Sequence, residues 1–118
     1  MKIFLIGPMG SGKSTIGKVL SERLEYDFYD TDKLVEKVVG KKIKEIFEQN
    51  GEQYFRLKES EELDKTRKLK NAVIATGGGI IENEKNRLFL KEEKKVIFLD
   101  SSIERQYDRT KESQKRPL

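Results

Sequence analysis

The reading of this chain turns on residues 3–15, "IFLIGPMGSGKST". Ile3, Phe4, Leu5 and Ile6 make a short apolar run of the kind that becomes a buried strand. From Lys13 onward, Ile16, Val19, Leu20 and Leu24 recur at helical spacing. Between the two lies a loop of glycines and small residues. Gly7-x-x-x-x-Gly12-Lys13-Ser14 fills every fixed position of the P-loop pattern, with the strand before it and the helix after it that the pattern needs. Such a loop wraps a polyphosphate in backbone N–H groups. Its glycines permit close approach, and it delivers the anion to the positive end of the following helix. Lys13 is then placed to reach β- and γ-phosphates and the Ser14 hydroxyl to ligate Mg²⁺, so the loop is read as holding a nucleoside triphosphate.

Outward from the loop, strand-like and helix-like segments alternate. Residues 27–30, "DFYD", read as a second strand, and Leu34, Val35, Val38 and Val39 share a helical face closed by Gly40. Ile43, Ile46 and Phe47 mark another helix, stopped by Asn50-Gly51. Residues 52–70 read as one charged helix with a thin apolar stripe through Tyr54, Phe55 and Leu63. "AVIAT" at 72–76 is a third strand, residues 84–91 a helix, and "KVIFLD" at 95–100 a fourth strand, after which Ser102 can cap a helix running to about Arg109. Parallel neighbours need crossover connections, so strands separated by helices predict an α/β fold: a parallel sheet with helices on both faces. At 118 residues the length predicts one domain, spanning residues 1–118.

Composition narrows the chemistry. The chain has no Cys and no His, which removes thiol nucleophiles, disulfides and imidazole acid–base machinery. Carboxylates, Lys, Arg, hydroxyls and backbone amides must carry whatever reaction occurs. No apolar run approaches the roughly 20 residues that span a bilayer, and the N-terminus lacks a secretory pattern, so a soluble, cytoplasmic protein is expected. The net charge of +4 comes from interspersed signs, as in "KLVEKVVGKKIKEIFEQ". That pattern favours an ion-paired surface with an anion site over a nucleic-acid face.

Other polar residues gather around the strand ends. Asp30 and Asp32 in "YDTD" close the second strand, where the carboxyl ends of parallel strands line a ligand crevice. One carboxylate can help hold Mg²⁺ while the other orients or deprotonates an attacking hydroxyl. Equally, Thr31 or Asp32 would serve as the N-cap of the next helix. Gly77, Gly78 and Gly79 follow the third strand and suggest a ligand lying close against the backbone. Taken alone, Tyr54 and Phe55 read as core residues and Arg56 as a surface charge.

The ordered set "GPMGSGKST", "DTD", "FR" in "EQYFRLKE", "TGGG", and "RT" followed by "RPL" resembles the shikimate kinases. These are small P-loop enzymes that move the γ-phosphate of ATP onto a hydroxyl of shikimate, on the way to chorismate and the aromatic amino acids. The resemblance spans the whole chain. It implies strand order 2-3-1-4-5, a mobile lid beginning near 109–118, and a family pattern that continues past "RPL", so that the fifth strand falls beyond this chain. It implies that Gly10, Ser11, Gly12, Lys13, Ser14 and Thr15 bind the phosphates of ATP, with Ser14 on Mg²⁺ and Asp30 supporting the metal through water. Asp32 would contact the shikimate hydroxyls and act as base. Arg56 would pair with the shikimate carboxylate, and Gly78, between Gly77 and Gly79, would present its amide to the substrate. Arg116 would close from the lid onto the phosphates and Arg109 would lie against the adenine. The implied partners are ATP and shikimate, with a monomer and no nucleic acid or membrane. The alternatives are another small-molecule P-loop kinase resembling gluconate kinases, against which Arg56 and the triple glycine argue, and a noncatalytic nucleotide-binding fragment.

Overall fold

A computed structural model describes residues 1–8 and 11–99 of the chain. Four parallel strands are found among the described residues: β1 (Lys2–Ile6), β2 (Asp27–Asp30), β3 (Ala72–Ala75) and β4 (Val96–Phe98), in the order β2-β3-β1-β4. The expected order is therefore seen over these strands. The fourth is shorter than the 95–100 read from sequence, and Asp100 lies outside the described residues, as do Ser102 and the helix expected after it.

Among the described residues five α-helices connect the strands: α1 (Lys13–Leu24), α2 (Thr31–Val39), α3 (Ile43–Asn50), α4 (Glu52–Lys65) and α5 (Glu84–Lys91). Alternate residues of the strands feed opposite faces of the sheet, as the two-residue pleat requires. Ile3, Leu5 and Val73 pack with Leu20 of α1, Tyr26 and Phe28. Phe4, Ala72 and Ile74 pack with Leu63 of α4, Ile80, and Phe89 and Leu90 of α5. A third cluster of Val35, Ile46 and Phe55 binds α2, α3 and α4 to one another.

The helix read over residues 52–70 is shorter than expected. It ends at Lys65 and gives way to a 3₁₀ turn over Thr66–Lys68. The Thr66 hydroxyl donates to the Leu63 carbonyl at 2.6 Å and its own carbonyl accepts from Leu69, which is extended; these bonds tighten the last turn and release the chain toward β3. The stripe through α4 is also less apolar than the sequence suggests, because Glu59 and Glu62 are buried beside Phe55 and Leu63. Elsewhere the interspersed charges do pair along helices, as in Lys33 with Glu36, Lys58 with Glu61 and Arg67 with Asp64.

Strand register sets the site. Leu5 and Asp30 both lie opposite Ala75, so β1, β2 and β3 end at one level. The loop after Ile6, the "DTD" turn and the glycine run after Thr76 therefore leave the sheet along one edge. That edge lies where β1 has β3 on one side and β4 on the other, the switch point at which open parallel sheets bind ligands.

Candidate active site

The P-loop is built for an anion. Gly12, the residue before α1, has φ 84°, a left-handed conformation that favours glycine. It offers the helix no side-chain cap, and the first turn holds no acidic residue, whereas Asp30 and Asn83 cap α2 and α5. Amide donors at the start of α1 are thus left for an external acceptor. Lys13 folds back over the loop: its ammonium donates to the Gly7 carbonyl at 2.6 Å, to the Pro8 carbonyl at 2.8 Å and to Ser11 Oγ at 3.4 Å. Burial holds its pKa below the ordinary lysine value, opposed by the nearby Asp32 and Asp30 carboxylates. Gly10 lies outside the described residues.

Beside the loop, the Ser14 hydroxyl donates to Asp30 Oδ2 at 2.7 Å. The other oxygen of Asp30 accepts from the backbone N–H of Asp32 at 2.9 Å and of Lys33 at 3.4 Å. Asp30 is therefore the N-cap of α2, in place of Thr31 or Asp32: the helix begins at Thr31, directly after β2, one residue earlier than a cap at Thr31 would allow. Two hard oxygen donors meet at Ser14 and Asp30. Among the described residues no cluster of three or more carboxylates could hold a metal by itself. This donor set suits Mg²⁺, which uses one or two protein oxygens together with water and phosphate oxygens.

Farther along the edge, Asp32, Arg56 and Glu59 converge on the glycines. A Cβ placed on Gly77 would collide with Glu59 Oε2 and sit 2.6 Å from Asp32 Oδ1, and one on Gly79 would sit 2.5 Å from the Arg56 guanidinium. The absence of side chains here lets the three charged groups press against the backbone. Arg56 Nη1 donates to Glu59 Oε1 at 3.2 Å, and Nη2 donates to Glu52 Oε2 at 3.4 Å. Asp32 Oδ1, Glu59 Oε2 and Arg56 Nε are buried with no partner among the described residues. Such orphaned polar atoms are costly unless a ligand or water meets them. Burial raises the Asp32 pKa, reinforced by Asp30 and opposed by Lys13 and Arg56. Glu59 was missed in the sequence reading, where it is one carboxylate of "KESEELDK". Its spacing of three residues from Arg56 on one helix was the available signal.

Burial pushes the Glu59 carboxyl from 4.5 up to about 7, against the pull of Arg56. The folded protein thus holds this proton more tightly than the unfolded chain. The resulting stability is full below about pH 4.5 and is lost as pH rises through 7. Glu59→Gln should therefore gain in stability relative to the parent chain as pH rises between those limits. Urea unfolding of both chains at the two ends of the range measures the difference.

Two hollows join along this edge. One, of about 230 Å³, is lined by Ser11, Gly12, Lys13, Ser14, Asp30 and Thr76 among others; the second, of about 310 Å³, by Phe47, Phe55, Arg56, Glu59, Gly79 and Glu82 among others. Asp32 and Gly78 line both. Thr15 and Gly77 line the first. Arg109 and Arg116 lie outside the described residues.

A P-loop at the switch point of a parallel sheet, with a hydroxyl–carboxylate pair beside it, places the chain among the P-loop α/β proteins. A family model described as shikimate kinase matches residues 9–118. The chain belongs to the shikimate kinase family. It is 46% identical over 116 residues to a shikimate kinase of Legionella pneumophila (strain Corby), covering 98% of this chain and 66% of that one. Against a shikimate kinase of Sulfurihydrogenibium sp. (strain YO3AOP1) it is 47% identical, covering 98% and 70%. The solved structure of Acinetobacter baumannii shikimate kinase in complex with shikimate superposes with a TM-score of 0.84 at 43% identity, covering 99% of this chain and 65% of that one. That of shikimate kinase from Aquifex aeolicus gives 0.80 at 47% identity, covering 85% and 60%. The chain spans about two thirds of the length of the relatives it matches.

Proposed function

We propose that the chain uses Mg²⁺ and ATP to phosphorylate a hydroxyl of shikimate, the reaction its family resemblance implies in aromatic amino-acid biosynthesis. The observation that carries this reading is the pair of hollows sharing Asp32 and Gly78. The first has the lysine, amides and oxygen donors that suit a triphosphate. The second has a guanidinium held by two carboxylates, which suits a small carboxylated alcohol. Ser14 and Asp30 would hold Mg²⁺, which would supply charge neutralisation on phosphate oxygens.

The remaining work belongs to the chain's own groups. Lys13 turns from the loop carbonyls to the β- and γ-phosphates, and the amides at the start of α1 hold the phosphate oxygens. Arg56 takes the acceptor's carboxylate, with Glu59 and Gly79 fixing the angle of its fork. Asp32, on the shared wall, orients the acceptor hydroxyl and receives its proton; a pKa raised by burial makes it a stronger base than an exposed aspartate. The Gly78 amide faces the acceptor, Arg116 closes over the phosphates and Arg109 lies against the adenine, as the resemblance implies. The reading places this activity in the cytoplasm, in a monomer. Among the described residues no helix is long and apolar enough to cross a membrane.

The test is ADP release from Mg·ATP with shikimate, gluconate or no acceptor added. Shikimate alone should raise the rate, whereas an equal response to gluconate rejects the acceptor assignment. Arg56→Ala should raise the KM for shikimate about 10- to 100-fold, the worth of one charge-assisted hydrogen bond, while ATP affinity stays within about 2-fold. Isothermal titration with each ligand separates the two effects, and equal loss of both would reject the acceptor-side role of Arg56.

A further inference from the structure

Three consecutive residues at the start of α2 point to three different tasks. Asp30 caps the helix and pairs with Ser14, and Asp32 lines both hollows. Thr31 lies between them, its residue wholly buried, and capping leaves its hydroxyl free for another use. Thr31 Oγ1 accepts the backbone N–H of Gly77 at 3.0 Å, 46 positions away in the chain. The next residue back, Thr76, is tied to the end of β1: its hydroxyl donates to the Leu5 carbonyl at 2.9 Å and its N–H to the same carbonyl at 3.0 Å. Two threonines thereby fasten the "DTD" turn, the glycine run and the strand that leads into the P-loop. The side of Gly77 where a side chain would stand in turn faces Asp32 Oδ1 and Glu59 Oε2, which occupy the space that a Cβ would need. A shift of Gly77 would change the room left to both carboxylates: among the described residues neither of these two oxygens has a hydrogen-bond partner, and Glu59 is held only through its other oxygen, by Arg56.

We propose that Thr31 is a positioning residue: by holding the Gly77 amide it fixes the Asp32 and Glu59 carboxylates relative to the end of β1, and so sets the geometry of the acceptor side. Its hydroxyl touches neither hollow. Valine has nearly the same shape but offers no acceptor, so Thr31→Val would leave a buried N–H unpaired and free Gly77 to turn. Serine keeps the acceptor. The kinetic part of this inference rests on the proposed function, whereas its structural part does not.

The experiment follows the Gly77 amide by hydrogen exchange in ¹⁵N-labelled chains and sets it beside the kinetics of ADP release. In the parent chain and in Thr31→Ser the amide should exchange slowly, and in Thr31→Val about tenfold faster or more. Thr31→Val should raise the KM for shikimate about tenfold and leave the KM for ATP within about 2-fold, with Thr31→Ser restoring most of the difference. A Gly77 amide that exchanges in the parent chain as fast as an exposed glycine overturns the proposal, whether or not the valine chain folds. So does a valine chain that loses ATP and shikimate equally, or a serine chain no better than the valine one. If no chain releases ADP in response to shikimate, the proposed function fails, and the exchange rates still decide the role of Thr31.

Discussion

An Asp32→Asn chain should lose about 10²- to 10⁴-fold in shikimate-dependent turnover while binding Mg·ATP nearly as the parent does. Asparagine keeps the shape of the side chain and its place on the wall shared by the two hollows, but it cannot receive a proton and offers a weaker acceptor to the attacking hydroxyl. Much of the loss should appear in kcat, because orientation of the hydroxyl matters most as the phosphoryl group moves. Unfolding does not account for such a loss. The Asp32 pKa is raised, chiefly by burial, so its ionised form costs stability above the ordinary carboxylate range, and the neutral amide should be at least as stable at pH 7. Thermal unfolding at pH 7 checks this directly: a chain that is inactive and also much less stable would point to a structural role for Asp32.

Lys13→Met should reduce turnover about 10²- to 10³-fold and weaken triphosphate binding more than diphosphate binding. The ammonium is held by the Gly7 and Pro8 carbonyls at 2.6 and 2.8 Å, and Lys13 lines the hollow beside the P-loop. Methionine is unbranched and one heavy atom shorter, so it occupies the space of the lysine stem without the charge. Titration calorimetry with ADP and a nonhydrolysable ATP analogue separates binding from chemistry. An unchanged shikimate-dependent rate would show that the phosphate contact is wrongly assigned.

Local pattern and tertiary register contributed differently to what could be read beforehand. The P-loop was legible because all its determinants fall within residues 7–14 and its flanking strand and helix are adjacent in sequence. The strand positions followed from short apolar runs, and the common sheet edge from parallel pairing. The cap of α2 was not legible. Asp30, Thr31 and Asp32 are all good capping residues, and only the start of α2 at Thr31, directly after β2, selects Asp30. That choice releases Thr31 for Gly77 and Asp32 for the hollows. Glu59 was hidden for a related reason. A carboxylate within "KESEELDK" looks solvated until α4 is turned by Phe55 and Leu63 toward the core, which buries Glu59 to 1% exposure against Arg56. The value of Arg56 itself depended on Gly79, 23 residues later in the chain, being close enough to support its guanidinium.

The proposed reaction requires a phosphoryl donor and a carboxylated alcohol to meet at Asp32 and Gly78. ³¹P NMR of the chain with Mg·ATP and shikimate tests that meeting most directly. A phosphomonoester resonance should grow in step with ADP and be absent when shikimate is left out. Conversion of ATP to ADP and inorganic phosphate alone, or no conversion in the presence of both substrates, would contradict it.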